Sequence, residues 1–263
     1  MQTAEALRHA LRAEWTKLRT ISSNAWLLLA CIAVTITASA LTASVDTCQA
    51  GCTTDPTKLS LTGVQLGQAI LVIVAVLSVS GEHSSGMIRY TLTAIPQRSV
   101  MMAAKSTVIS AVVAVASTVA VLGSVLAGQL LLPGNGFTTK NGDAPLSFGS
   151  GLMLRAAGGS VLYLALIALL SVGVAATVRD SALAMTAVLG LLYIPPLIGH
   201  VLLNHAWQNR IERFAPMNAG LAIQSTKNLK ALPIGPGAGL GVLAVWATAA
   251  LIIGWVLLLR RDA

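Results

Sequence analysis

Residues 156–178 read AAGGSVLYLALIALLSVGVAATV, a run of 23 positions without an Asp, Glu, Lys or Arg. A helix needs about 20 mostly apolar residues to cross the roughly 30 Å hydrocarbon core of a bilayer. Inside lipid no water is present to bond the backbone N–H and C=O groups, so such a stretch must satisfy them internally as a helix. The run therefore predicts a membrane-spanning α-helix.

Five further stretches share this character. The sequence predicts six spans, at 26–45, 62–81, 102–132, 154–178, 181–203 and 237–259. Of the 263 residues, 55% are hydrophobic and 10% are charged, whereas a soluble domain carries about 25% charged residues. This composition excludes a soluble enzyme and predicts an all-α polytopic membrane protein, with a transmembrane domain at 21–263 after a separate segment at 1–20.

The basic residues indicate an orientation. Six spans put both termini on one side, and ten of the 17 Lys and Arg residues fall in segments on that side. Since positively charged short segments stay in the cytoplasm, we predict a multi-pass protein of the plasma (cytoplasmic) membrane with both termini cytoplasmic. Topology then explains the net charge of +8, with the lipid bilayer and not nucleic acid as partner. Lys105, at the edge of the third span, is expected to snorkel to the headgroups.

The segment 1–20 has one apolar stripe, formed by Leu7, Leu11 and Trp15, which recur at intervals of four. Lys17 and Arg19 add basic charge beside the stripe. This pattern is typical of an amphipathic helix that lies in the headgroup plane. The alternative is a solvated tail whose charges only enforce the orientation.

Between the second and third spans, residues 84–96 have the form of a short helix. Ser84 or Ser85 can cap its start, Met87 and Leu92 offer apolar contacts, and Pro96 ends it. Such a helix would be a docking element on the cytoplasmic side, and the alternative is an ordinary loop between spans.

Two outer segments carry further candidates. Cys48 and Cys52 lie close enough to form a disulfide in an oxidising outer loop; two free thiols are the alternative, and two thiols alone do not complete a metal site. Residues 207–232, with Phe214, Pro216 and Asn218, are too short and too polar to span. They form either a plain outer loop or a segment that dips into the outer leaflet.

A run of residues around the short cytoplasmic helix resembles the coupling-helix region of ABC-2-type transporter permeases. The positions that carry this resemblance are Glu82, Ser85, Gly86, Met87, Arg89, Leu92, Pro96, Arg98 and Lys105. The opening AEWTKLRT at 13–20 is also similar to the start of many actinobacterial permeases of this kind. The resemblance extends loosely over the whole chain, through six spans and inner termini.

This resemblance implies roles for the segments. The helix at 84–96 would insert into a cytosolic ABC ATPase, with Glu82 and Arg89 flanking the joint. The helix at 1–20 would be the connecting helix on the inner leaflet, and 207–232 would hold a re-entrant helix pair. A second permease copy, identical or a sister chain, would complete the transporter.

The function that follows is export of a hydrophobic or amphipathic substrate, such as an antibiotic, a peptide or a lipid; antibiotic resistance is one expected outcome. The chain has no G-x-x-x-x-G-K-[ST] motif, so we expect it to be no enzyme. ATP and Mg²⁺ would be bound by the partner ATPase, with no cofactor or metal in this chain. The spans hold few ionisable groups, which argues against a carrier driven by protons or sodium. The alternative function is a non-transporting scaffold or sensor coupled to an ATPase, and an intramembrane enzyme is a third, for which the spans offer no convincing catalytic pair.

Overall fold

A computed structural model describes residues 2–20, 22–48, 54–84, 98–137, 149–178, 180–201 and 205–260. In these ranges the regular structure is helical and contains no strand. The α-helices, in chain order, are α1 Gln2–Thr20, α2 Ser22–Val45, α3 Pro56–Ser60, α4 Val64–Ser84, α5 Arg98–Leu131, α6 Gly151–Val178, α7 Ser181–Val201, α8 His205–Phe214, α9 Pro216–Leu221 and α10 Pro236–Arg260. Short 3₁₀ turns cover Leu132–Asn135, Ala222–Gln224 and Leu229–Ala231.

Six of these helices are long and apolar enough to cross a membrane, namely α2, α4, α5, α6, α7 and α10. The prediction of an all-helical protein with six candidate spans is therefore confirmed. Asp180 caps the N-terminus of α7. Its carboxylate accepts a hydrogen bond from the Leu183 N–H at 2.8 Å. Pro195 and Pro196 lie inside α7, which continues past them to Val201.

The core of the bundle lies around α6, which packs against α4, α5, α7 and α10. In the apolar stretch of each span, the share of buried residues separates the helices into two groups: it is 56% in α4 and α6 and 50% in α5, but 22% in α2 and α10 and 17% in α7. Apolar side chains on the second group remain exposed, including Leu29, Leu197 and Ile253. Exposed apolar surface on this scale is typical of a face that meets a membrane or another protein, in agreement with six helices able to cross a bilayer.

Small residues let α6 and α10 approach through their backbones. A Cβ atom built on Gly173 would lie 2.5 Å from the carbonyl carbon of Ala250 and 2.6 Å from the nitrogen of Leu251. One built on Gly254 would lie 2.7 Å from the Gly173 carbonyl oxygen. Glycines at helix crossings of this kind permit the close packing on which association in lipid depends.

Candidate functional site

Most of the predicted coupling residues lie outside the residues that the structure describes. These are Ser85, Gly86, Met87, Arg89, Leu92 and Pro96. The backbone of Glu82 belongs to α4 and that of Arg98 begins α5. Their side chains also lie outside the described part of the chain, so their role in coupling stays a prediction.

The helices on either side of that segment meet α1 at a buried ion pair. The Lys105 ammonium of α5 lies 2.9 Å from the Glu14 carboxylate of α1 and donates to the Ser78 carbonyl of α4, also at 2.9 Å. Lys17 binds the other carboxylate oxygen of Glu14 at 3.1 Å. Glu14 and Lys105 are only 6% and 5% exposed. We call Glu14, Lys17, Lys105 and the Ser78 carbonyl the α1 junction. Its contacts join α1, α4 and α5.

The junction corrects the prediction for Lys105. Its ammonium does not snorkel to the headgroups, because Glu14 and a backbone carbonyl hold it inside the protein. A lysine at a span edge can reach the headgroups with its ammonium, but here the Glu14 carboxylate lies within 2.9 Å of it. This partner could not be predicted from the sequence pattern, since Glu14 is 91 residues away along the chain.

The apolar stripe of α1 and the basic residues beside it are partly buried and partly exposed. Leu11 and Lys17 are half-buried, whereas Leu7, Trp15 and Arg19 are exposed. Trp15 and Arg19 also line an apolar cavity of about 200 Å³ against α2, α4 and α5. The helix predicted at 1–20 is present, and its position in the headgroup plane stays a prediction.

At the opposite end of the bundle, the carboxylate of Asp55 joins two segments of the chain through hydrogen bonds. Its carboxylate caps α3 by accepting from the Thr57 N–H at 3.1 Å, and it accepts from the Thr226 hydroxyl at 2.7 Å and the Lys227 N–H at 2.9 Å. The Thr226 N–H donates to it as well. We call this group the Asp55 hub, and it ties the chain before α3 to the chain after α9.

The cysteines near the hub were predicted to form a bridge. Cys48 is disulfide-bonded, and Cys52, its predicted partner, lies outside the described residues. The Cys48 N–H donates to the Asn135 carbonyl at 2.8 Å. Cys31 is a free, buried thiol inside α2. In the described ranges no group of three or more His, Cys, Asp or Glu residues is placed to hold a metal ion.

The segment 207–232, predicted to lie on the outer side, contains the short helix α9, which packs against α6, α7, α8 and α10. Pro216 is buried, Asn218 is half-buried and Phe214 is exposed. A Cβ atom built on Gly220 would lie 2.5 Å from the ring of Tyr163. Tyr163 is about 18 Å along the axis of α6 from the start of that helix, at 1.5 Å per residue. The segment thus reaches deep into the bundle, and its position relative to the lipid stays a prediction.

Beneath α9 lies a polar cluster that sequence reasoning missed. The Tyr163 hydroxyl donates to the Gln68 side-chain oxygen, and the Gln68 amide nitrogen donates to the Met217 sulfur at 3.3 Å. Tyr163 and Gln68 are both 0% exposed. Nearby, the Tyr193 hydroxyl donates to the Gln65 carbonyl. Buried polar groups in such surroundings need partners, and these join α4, α6, α7 and α9 in one network.

A cavity of about 300 Å³ opens beside α9, and we call it the α9 cavity. Lys58 of α3, Glu212 of α8 and Asn218 of α9 line it together with Gln65 and apolar side chains, among them Pro196. Lys58 and Glu212 are exposed. The Asn218 side-chain oxygen is buried and has no hydrogen-bond partner among the described residues. The sequence pattern indicates this cavity only weakly, because the residues that line it come from five separate helices.

No known protein-family model matches the chain, and no curated protein matches its sequence. The resemblance to ABC-2-type permeases therefore stays a hypothesis that rests on the motif residues.

Proposed function

We propose that this chain is the membrane subunit of an ABC-2-type exporter, located in the plasma membrane with both termini cytoplasmic. ATP, with Mg²⁺, is hydrolysed by a separate cytosolic ATPase that docks on the predicted coupling helix at 84–96. Two permease copies, identical or sister chains, pair with two ATPases. The substrate is hydrophobic or amphipathic, in keeping with spans in which ionisable side chains are few.

The observation that carries the proposal is the α1 junction. Segment 85–97 joins the end of α4 to the start of α5, and both ends are tied to α1 through Ser78, Lys105 and Glu14. A force applied to the segment by an ATPase therefore displaces three helices together. Burying the charges of Glu14 and Lys105 is costly. We do not expect this cost at a loop that only connects two spans.

The outer surface of the bundle supports the proposed assembly. The exposed apolar side chains of α2, α7 and α10 offer faces for lipid and for a second permease copy. The short helix α9 packs between the long helices, and Tyr163 of α6 lies directly against its Gly220. A movement of α6 would therefore displace α9 at the outer end of the bundle.

The test is co-expression with the ATPase encoded beside this gene, followed by detergent pull-down and an ATPase assay with Mg²⁺. We expect a stable complex, and we expect Met87→Pro/Arg89→Glu to abolish co-purification by breaking the docking helix and reversing its charge. Leu229→Pro/Lys230→Glu is the matched control at the opposite end of the bundle, and it should leave the complex intact.

An unchanged pull-down with the Met87→Pro/Arg89→Glu variant would count against docking at 84–96. A stable ATPase complex that moves no amphiphile in proteoliposomes would instead favour the scaffold or sensor function.

A further inference from the structure

We propose that the apolar cavity between α1, α2, α4 and α5, which we call the α1 cavity, binds one anionic phospholipid. Part of an acyl chain fills the cavity, and the phosphate lies against the guanidinium of Arg19 at its mouth. This inference goes beyond the proposed export function and concerns this chain alone. It therefore does not depend on whether an ATPase docks on the chain.

The inside of the α1 cavity is suited to hydrocarbon. Its deeper wall is formed by Val74 of α4 and by Ile109 and Val113 of α5, all of them buried. Val113 lies eight residues beyond Lys105 along α5, which is about 12 Å at 1.5 Å per residue, so the cavity runs into the span. Its volume of about 200 Å³ is below the roughly 300–1,000 Å³ of pockets that enclose a whole small molecule. It therefore accommodates part of a long apolar ligand, the rest of which lies outside.

The mouth of the cavity carries a positive charge. Besides Trp15, the polar side chains among the described lining residues are Arg19, in the last turn of α1, and Asn24, in the first turn of α2. Arg19 is exposed and takes part in no ion pair with the described residues. The nearest carboxylate along α1, that of Glu14, is paired with Lys105 and lies outside the lining. A cation beside an apolar cavity is complementary to a ligand with an anionic headgroup and an apolar chain.

The amide of Asn24 provides a second contact for the polar part of a lipid. Asn24 is only 7% exposed, and its side chain has no hydrogen-bond partner among the described residues. The unpartnered side-chain atoms that are closed off completely belong to Ser117, Arg155 and Asn218, so the Asn24 amide can be reached from the cavity that it lines. A buried amide without a partner is unfavourable. A phosphate or ester oxygen of a phospholipid supplies the missing acceptor.

Two exposed tryptophans indicate that the mouth lies at headgroup depth. Trp15 lines the cavity and is 54% exposed, and Trp26, two residues after Asn24, is 72% exposed. Trp is enriched where the hydrocarbon of a membrane meets the headgroups, because its ring is apolar and its N–H is polar. A phospholipid carries its phosphate at this depth and its chains below it. A water-soluble anion gains nothing from the apolar interior behind Arg19.

The experiment measures quenching of Trp15 fluorescence by phospholipids with brominated acyl chains, since bromine quenches tryptophan at close contact. The purified full chain in detergent is titrated with brominated phosphatidylglycerol or with brominated phosphatidylcholine of the same chains. The Trp15 signal is the difference between the wild type and Trp15→Phe. We expect half-quenching at an about fivefold lower mole fraction of the anionic lipid, the effect of one arginine beside an anionic headgroup. Soluble glycerol 3-phosphate at equal concentration should not relieve the quenching.

Trp26 is the internal control for lipid that only surrounds the protein. It is exposed and lies outside the lining of the cavity. Its signal is the difference between the wild type and Trp26→Phe. We expect the two brominated lipids to quench Trp26 at equal mole fractions.

Variants at the mouth separate the headgroup contacts. Arg19→Gln should remove the fivefold preference for the anionic lipid. Arg12→Gln, at an exposed arginine of the same helix outside the lining, is the matched control and should keep it. Asn24→Leu, of similar size, should weaken both lipids and keep the preference, because both carry phosphate and ester oxygens.

A further pair of variants tests whether the chain enters the cavity. Ala25 is exposed and lines the cavity, so Ala25→Phe should narrow it and reduce the quenching of Trp15 by both lipids. Ala33→Phe, at an exposed position of the same helix outside the lining, is the matched control and should leave the quenching unchanged. Thermal melting verifies that every variant is folded.

Equal quenching of Trp15 by the two lipids would overturn the proposal. Equal losses of preference in Arg12→Gln and Arg19→Gln would show a diffuse attraction to the surface of α1 and would overturn the site. Unchanged quenching in Ala25→Phe would overturn the placement of the chain, and relief by glycerol 3-phosphate would overturn the assignment to a lipid. Failure of the ATPase pull-down leaves each of these results standing, so the two proposals fail separately.

Discussion

The two ends of the bundle use charged side chains in different ways. At the α1 junction, Glu14 and Lys105 are buried and face each other at 2.9 Å. At the other end, Asp55 accepts hydrogen bonds from neutral groups, and Lys58 and Glu212 line an open cavity without an ion-pair partner in the described part of the chain. One end has its charges buried inside the protein, and the other has two exposed charges at a cavity.

This difference bears on the task that the proposed function gives to the α1 junction. A joint that transmits force must not exchange its contacts with water, and a buried ion pair is strongly destabilised when one partner is lost. The substitutions below break or sharpen this contrast, beginning with the largest expected effect.

Removing the carboxylate of the α1 junction should have the largest effect. Glu14→Leu leaves the buried Lys105 ammonium without that counter-charge, and we expect a loss of about 3–5 kcal/mol in the free energy of unfolding. Glu14→Leu/Lys105→Met should recover most of this loss, because an apolar pair of similar volume replaces the ions. Thermal unfolding of the purified chain in detergent measures both.

Lys17→Met is the matched control for that cycle. Lys17 binds the same carboxylate at 3.1 Å but is only half-buried, so we expect a change of about 1 kcal/mol or less. If Glu14→Leu/Lys105→Met lowered the free energy of unfolding at least as much as Glu14→Leu alone, the stability contributed by Glu14 would not depend on Lys105.

Removing the Asp55 hub should have a smaller effect, confined to the opposite end. Asp55→Ala deprives Thr226 and Lys227 of their acceptor and removes the cap of α3, and we expect a loss of about 2–3 kcal/mol. Limited proteolysis should show faster cleavage in 225–235. Asp46→Ala, at an exposed position on the same side, is the control and should change neither quantity; equal protection of 225–235 in both variants would argue against the hub.

The six candidate spans could be predicted because a bilayer imposes their length and apolar character on the sequence itself. No comparable rule reveals the α1 junction or the polar cluster. Glu14 and Lys105 are 91 residues apart, and Gln68 and Tyr163 are 95 apart. Such pairs are fixed by how the helices pack, and a single sequence carries no record of packing.

Part of the candidate site did leave a trace in the sequence. Gln65 and Gln68 stand out as amides within one predicted span, and a buried amide calls for a partner. What they could not reveal is that α9 delivers Met217 to Gln68, because that contact depends on how deeply a short outer segment enters the bundle. The roles of Glu82, Arg89 and their neighbours in docking an ATPase remain predictions.

The seat of α9 can be tested by adding one methyl group. Gly220→Ala places a Cβ atom 2.5 Å from the Tyr163 ring, and overpacking of this kind costs about 1–3 kcal/mol. Gly241→Ala is the matched control, because no neighbouring atom lies within 4 Å of its added Cβ, and in a helix the change should be neutral or slightly stabilising. Equal melting temperatures for the two variants would contradict the deep seat of α9.

The polar cluster should give the smallest of these effects, and it tests whether α9 is joined to the long helices by hydrogen bonds as well as by packing. Tyr163→Phe removes the hydroxyl that donates to Gln68 and leaves a buried acceptor unpaired, so we expect a loss of about 1–2 kcal/mol. Tyr163→Phe/Gln68→Leu removes both partners, and the loss should shrink because no polar atom of the pair remains buried. If the double variant were less stable than Tyr163→Phe, the hydrogen bond from Gln68 to Met217 would contribute more than the one from Tyr163 to Gln68. The polar contact that holds α9 would then come from α4.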